Sequence, residues 1–301
     1  MSRGTDRVSP APARPFEAAR PRLLGLAYRI LGSRADAEDA VQDTYIKWLD
    51  SDHAAIENPA AWLTTVCTRR CLDLSRAAHR TRIDYVGAWL PEPIQTAINP
   101  EAERDIERAE SLTTAFLLML ERLSPKERVA YLLREVFDTD YPEIAETLAL
   151  QETACRKLVS RAKTRLGQSE RRHAPPRQRQ EMLLNAFQHA VTTGSATALT
   201  ALLTEDVKLS ADGGGKVTTI LEPVEGRMAV EAFLTIDLYR YWADHEWLPA
   251  DLNGMPGFIL TLHGVTDAAV TFAFDKDGDA EAIFIVRNPD KIAALDPVHL
   301  H

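Results

Sequence analysis

The chain has 301 residues, 45% hydrophobic and 26% charged, a globular composition with room for two or three domains of modest core. Its net charge is −9, but the sign alternates along the chain: +2 over 1–84, −4 over 85–110, +4 over 111–180 and −11 over 181–301. No run approaches the ~18 apolar residues of a membrane span, and Cys67, Cys71 and Cys155 form no disulfide or metal-ligand framework, which predicts a cytoplasmic protein without a metal.

The opening residues, MSRGTDRVSPAPARP, lack the apolar core of a secretory signal and predict a disordered tail over 1–15. PRLLGLAYRILGS (21–33) carries a helical stripe of Leu23, Leu24, Ala27, Ile30 and Leu31 that stops at Gly32. RADAEDAVQDTYIKWLD (34–50) repeats the period, with Asp36, Glu38 and Asp39 near a helix N-terminus that favours anions. NPAAWLTTVCTRRCLDLSRAAHRTR (58–82) begins with Asn58 as cap and Pro59 at the first helical position. Its arginines 69, 76, 80 and 82 lie mostly off the apolar stripe. YVGAWLPEP (85–93) then breaks the helical pattern with two prolines, yet is too apolar for a mere spacer.

Helical periodicity resumes from 101 to 122, and Ser124, Pro125 and Glu127 predict a capping box for the next helix. Asp140 and Glu143 suggest a second box. A short helix from 141, a tight turn near Ala149–Gln151 and a basic helix over 152–165 have helix-turn-helix spacing. Ala154, Leu158 and Ala162 are its expected core positions; a basic solvated helix in a bundle has the same spacing. A polar linker over 169–179 separates this part from a final region of mixed period. There, helices over about 180–193, 195–203 and 226–241 alternate with strands over 206–211, 216–222, 245–252, 257–263, 267–275 and 281–288, an α+β pattern. DGGGK (212–216) lacks phosphate-loop spacing and predicts a turn. Asp212, Asp237, Tyr239 and His263 are a scattered set with weak claim to acid–base chemistry.

Residues 20–48, 58–73 and 123–166 resemble regions two and four of bacterial extracytoplasmic-function sigma factors. YVGAWLPEP, DGGGK and NPDK (288–291) resemble signatures of the subgroup with a SnoaL-like C-terminal extension. The resemblance implies two all-α sigma domains, region two over 16–84 and region four over 111–168, a linker over 85–110, and an α+β cone domain over 180–301. It implies a non-enzymatic, cofactor-free transcription factor that binds core RNA polymerase and promoter DNA as a monomer. Polymerase contact would fall to Asp36, Glu38, Asp39, Asp43 and Trp48, the last of them partly core. The −10 element would meet Arg69, Arg76, Arg80 and Arg82. The −35 element would meet Arg156, Lys157, Ser160 and Arg161, with Lys163 and Arg165 on phosphates.

The extension is expected to regulate. Tyr85, Trp89, Leu90, Pro91, Glu92 and Pro93 should dock on it near Asp212, Gly213, Gly214, Gly215 and Lys216 or Asn288, Pro289, Asp290 and Lys291. Two alternatives are a DNA-binding regulator responsive to a small molecule held by the C-terminal domain, and a DNA-binding module fused to an active SnoaL-like enzyme.

Overall fold

A computed structural model describes residues 13–83, 85–96, 111–167 and 175–296, without the side chains of 77–83. The chain divides into two compact units, Met1–His79 with Leu123–Arg165 and Arg80–Arg122 with Leu166–His301.

The first unit is helical. α1 (Ala13–Leu31) starts eight residues before its expected start at 21 and runs through Pro21, so residues 13–15 of the expected tail are helical. An internal proline costs ~3 kcal/mol. The early turns are held because Phe16 is buried against the Tyr45 ring, 4.5 Å between centroids. α2 (Arg34–Leu49) is capped by Ser33, whose hydroxyl accepts from the Asp36 amide. Its buried stripe is Ala37, Ala40, Val41, Thr44 and Trp48. α3 (Pro59–Ile83) is capped by the Asn58 side chain and buries Leu63, Cys67 and Cys71.

α5 (Pro125–Tyr131) continues through a π-helical turn, Leu132–Val136. Glu127 accepts from the backbone N–H of Ser124, as the capping box requires, and also from the Ser124 hydroxyl. The second expected box is absent: Asp140 makes no side-chain cap bond before α6 (Tyr141–Leu148), and its carboxylate lies 3.6 Å from Arg134. The turn after α6 puts Ala149 at φ 52°, a left-handed conformation reached without glycine. α7 (Glu152–Leu166) buries Cys155, Val159 and Ala162, a stripe one residue on from the expected Ala154 and Leu158, which are only half-buried.

In the second unit, α4 (Thr114–Leu120) is what the described residues retain of the helix expected over 101–122; residues 101–110 lie outside them. α8 (Arg177–Thr193) begins inside the expected linker. The six-stranded sheet has the order β2-β1-β6-β5-β4-β3. Its strands are β1 (Leu203–Asp212), β2 (Val224–Glu225), β3 (Glu246–Leu252), β4 (Met255–Leu262), β5 (Val265–Phe274) and β6 (Ala280–Val286). β1 runs parallel to β6 and every other pairing is antiparallel. α9 starts at Arg227–Ala232 and continues helically to Tyr241, and α10 is Pro289–Ile292.

Two expected elements differ. Residues 195–203 hold only a 3-10 turn at Thr200–Leu202 before β1. KVTTILE forms no strand, and Thr218 O instead accepts from the Arg287 side chain.

Strand alternation explains the unusually apolar strands. Phe258, Leu260, Val270, Phe272, Ile283 and Ile285 face one core with Phe187 and Trp242. Their neighbours Ile259, Ala269, Ala273, Phe284 and Val286 face a second core with Leu90 and, at its edge, Ala115 and Leu118. An antiparallel sheet with one wet face alternates apolar and polar residues; this one is covered on both sides. The second cover is the linker and α4.

Candidate nucleic-acid interface and linker seat

The basic face of α7 is built by helical spacing. Arg156, Lys157, Ser160 and Arg161 are exposed on neighbouring turns. Arg156 also lies 4.0 Å over the Tyr141 ring and 3.5 Å from Glu152. Lys163 pairs with Glu135 at 2.7 Å and Arg165 with Glu127 at 2.6 Å. Burial pushes the Glu127 carboxyl up, but bonds from Ser124 and the charges of Arg165 and Arg161 outweigh it and hold its pKa below the ordinary carboxylate value.

On α3 the expected DNA-facing arginines are differently engaged. Arg69 donates to Glu146 O at 2.8 Å and Thr147 O at 3.1 Å, satisfying the carbonyl end of α6. Beside it, the buried Thr65 and Thr147 hydroxyls bond at 2.9 Å. Arg76 is exposed beside Asp73. The side chains of Arg80 and Arg82 lie outside the described residues. Arg22 donates to Phe137 O and Arg128 to Ile30 O, so the helices before and after the linker interlock within one unit.

On α2, Glu38 and Asp39 are exposed, and Asp36 is half-buried. Glu38 pairs with Arg34, and Asp43 with Arg70 at 2.6 Å. Trp48, expected to be partly core, is wholly core: it is 2% exposed and packed on His53 and Trp62, so the contact expected of it has no surface to use. Sequence reasoning missed Ile46 and Leu49, each 50% exposed on the polar side of the same helix. Their signal was two large apolar residues outside the stripe. A groove of about 530 Å³ runs between α1 and α2, lined by Phe16, Arg20, Glu38 and Tyr45 among others.

The linker seat centres on Asp212, which has no exposed surface. Its carboxylate accepts from Tyr85 Oη (2.6 Å), Leu90 N (2.9 Å), Gly214 N (3.0 Å) and Lys291 Nζ (2.6 Å). Lys291 also donates to Leu90 O and lies 5.0 Å over the Tyr85 ring and 4.6 Å over Trp89. Burial, then the bond and charge of Asp212, push the Tyr85 hydroxyl pKa well up, so it stays a donor. Asn288 donates to Tyr85 Oη and caps α10 through the Asp290 amide, with Pro289 in its first turn. Lys216 pairs with Asp290. Gly214, at φ 60°, admits Asn288 Nδ2 to 2.3 Å of where a Cβ would stand, and at Gly213 the corresponding distance to Val217 O is 2.7 Å. Gly215 packs against Val86.

Trp89 is half-buried, whereas Leu90, Pro91, Glu92 and Pro93 are buried. Ile94 and Asn253 exchange bonds, and Gln95 bridges Leu252, which extends the linker along the end of β3. Thr114 bonds Thr271. Asp237, Tyr239 and His263 are exposed and do not join Asp212.

Sigma-70 region 2 matches residues 16–81 and Sigma-70 region 4 matches 113–166. The ECF RNA polymerase sigma factor SigJ of Mycobacterium tuberculosis is 33% identical over 92% of this chain and 91% of its own length. This chain belongs to the ECF RNA polymerase sigma factors. A second relative, the probable ECF sigma factor SigI of the same species, is 30% identical over 68% of the chain and 71% of its own. The crystal structure of M. tuberculosis SigJ superposes with TM-score 0.73 at 30% identity, covering 93% of this chain and 98% of that one. In this sigma factor, region 2 is therefore α1–α3, region 4 ends in the α6–α7 helix-turn-helix, and the α+β domain follows.

Proposed function

We propose that this sigma factor directs core RNA polymerase to promoters by meeting the −10 element with α3 and the −35 element with α7, and that its C-terminal domain governs release of both. RNA synthesis belongs to the polymerase; the chain adds recognition and strand opening, as a cytoplasmic monomer without cofactor or catalysis of its own. Asp36, Glu38, Asp39 and Asp43 on α2 are the polar part of the proposed polymerase surface, with Ile46 and Leu49 adding apolar contact.

The two promoter elements lie ~25 base pairs apart, roughly 80 Å at ~3.4 Å per pair. Two DNA-reading helices joined through Arg69 and the carbonyls of α6 cannot span that distance. Separation requires the linker between them to move, and that linker is bonded to Asp212. This last observation carries the regulatory reading.

The test is promoter-specific transcription by core polymerase with the full chain, its Y85F variant and its D212N variant. Both variants loosen the seat and should raise open-complex formation several-fold. Unchanged transcription with both would remove the regulatory role, and no initiation with any form would remove the promoter-directing one.

A further inference from the structure

The start of α6 carries a charge arrangement that replaces the expected capping box. The Asp140 carboxylate lies 3.6 Å from Arg134 and that of Asp138 3.7 Å from it, and the same guanidinium donates to Thr139 O at 3.1 Å. Arg134 is thereby fixed at the first turn of the helix, 5.3 Å over the ring of Tyr141. A second guanidinium, that of Arg156 on α7, stands over the same half-buried ring at 4.0 Å from its centroid. Asp138 and Asp140 offset the Arg134 charge, so the two cations share one ring without strong repulsion.

A cation is drawn to the face of an aromatic ring, and 4.0 Å is packing contact. The N–H groups of a guanidinium radiate in its own plane, so a ring that holds the flat face leaves the edge donors unengaged. A carboxylate does the opposite and takes the edge. Farther along α7, Lys163 and Arg165 are engaged by Glu135 and Glu127 at 2.7 and 2.6 Å, whereas Glu152 approaches Arg156 only to 3.5 Å. Arg156 is thus held in place while it keeps the fork that matches O6 and N7 of a guanine in the major groove. An arginine already stacked loses less rotamer freedom on binding than one that must be ordered by the DNA.

We propose that Tyr141 is a positioning residue for promoter reading: its ring, beside the fixed Arg134, sets the Arg156 fork for a guanine of the −35 element. The proposal rests on the reading of that element by α7, and it adds a residue that acts through Arg156 rather than through its own contact with DNA.

Core polymerase with the full chain is given promoters carrying every single-base substitution across the −35 element, and open-complex formation is measured. R156A should lower the preference at one G·C pair by ~5-fold or more and leave the other positions as they were. Y141L should lower the preference at that same pair by ~3–10-fold, and Y141F, which keeps the ring, by less than ~2-fold. In the R156A background, Y141L should change the profile no further. Y141M, with a flexible side chain that fills irregular gaps, takes the place of Y141L if that variant does not fold. A structured profile that is indifferent to R156A, or altered by R156A but by neither ring-less variant, would overturn the positioning role alone. So would Y141F doing as much damage as Y141L, because the hydroxyl would then be touching DNA itself. A wild-type profile that is flat across the −35 element would overturn the α7 reading and this proposal together.

Discussion

The basic face of α7 and the linker seat use the same charged residue types in opposite environments. Lys163–Glu135 leaves the lysine side chain 55% exposed, whereas Lys291–Asp212 leaves 13% and 0%. An exposed pair contributes ~0–1 kcal/mol and is screened by salt, so its cation is readily given to a phosphate. A buried pair is held by desolvation of both partners and by the bonds that complete it, and breaking one side strands the other. On the proposed reading, one surface exchanges partners and the other opens as a unit or stays shut.

The strongest way to break this contrast is D212A. Lys291, Tyr85 and Leu90 N would lose their common acceptor, and the domain should lose ~3–5 kcal/mol in chemical denaturation, with amide exchange rising over 85–96. A loss below 1 kcal/mol would place the seat with the surface pairs. G214A comes next: a Cβ forced against Asn288 at positive φ should cost ~1–3 kcal/mol and loosen the same segment. The buried Glu127 tests the intermediate case, a half-exposed arginine on an enclosed carboxylate. Because its folded pKa is depressed, its stabilisation is present above the unfolded value of about 4.3 and is lost as pH falls through the folded value. E127Q should therefore flatten acid unfolding of the helical unit in that window, read by far-ultraviolet circular dichroism. The smallest stability effect belongs to K163A, under ~1 kcal/mol, although promoter binding should lose about one unit of salt dependence. A larger loss of stability would mean that α7 shares the seat's character.

The helices of regions 2 and 4 were legible because periodicity and caps are local: Asn58 and Ser124 mark real starts. Misreadings arose where distant contacts overrode local preference. Phe16 on Tyr45 carried α1 back past Pro21, and the Arg287 bond to Thr218 O accompanies loop rather than strand over 216–222. The face of α7 shifted by one residue because Ala154 and Leu158 fit the helical period as well as Cys155 and Val159 do. Its place on the helix predicts Trp48 partly in the core, but its complete enclosure comes from His53 and Trp62 packing on it.

The sequence by itself determined most helices of the first unit, the α+β character of the last region, the alternation of charge along the chain and the family resemblance, all of which reside in spacing and composition. The tertiary structure alone decided which charges are enclosed. The motifs predict that Tyr85 and Leu90 dock near Asp212 or Lys291, but not that Asp212 is the enclosed acceptor shared by Tyr85, Leu90 and Lys291, which lie 127, 122 and 79 residues away. The energy of a charge depends on the water removed from it and on the donors that replace that water, and neither is a property of neighbours in sequence.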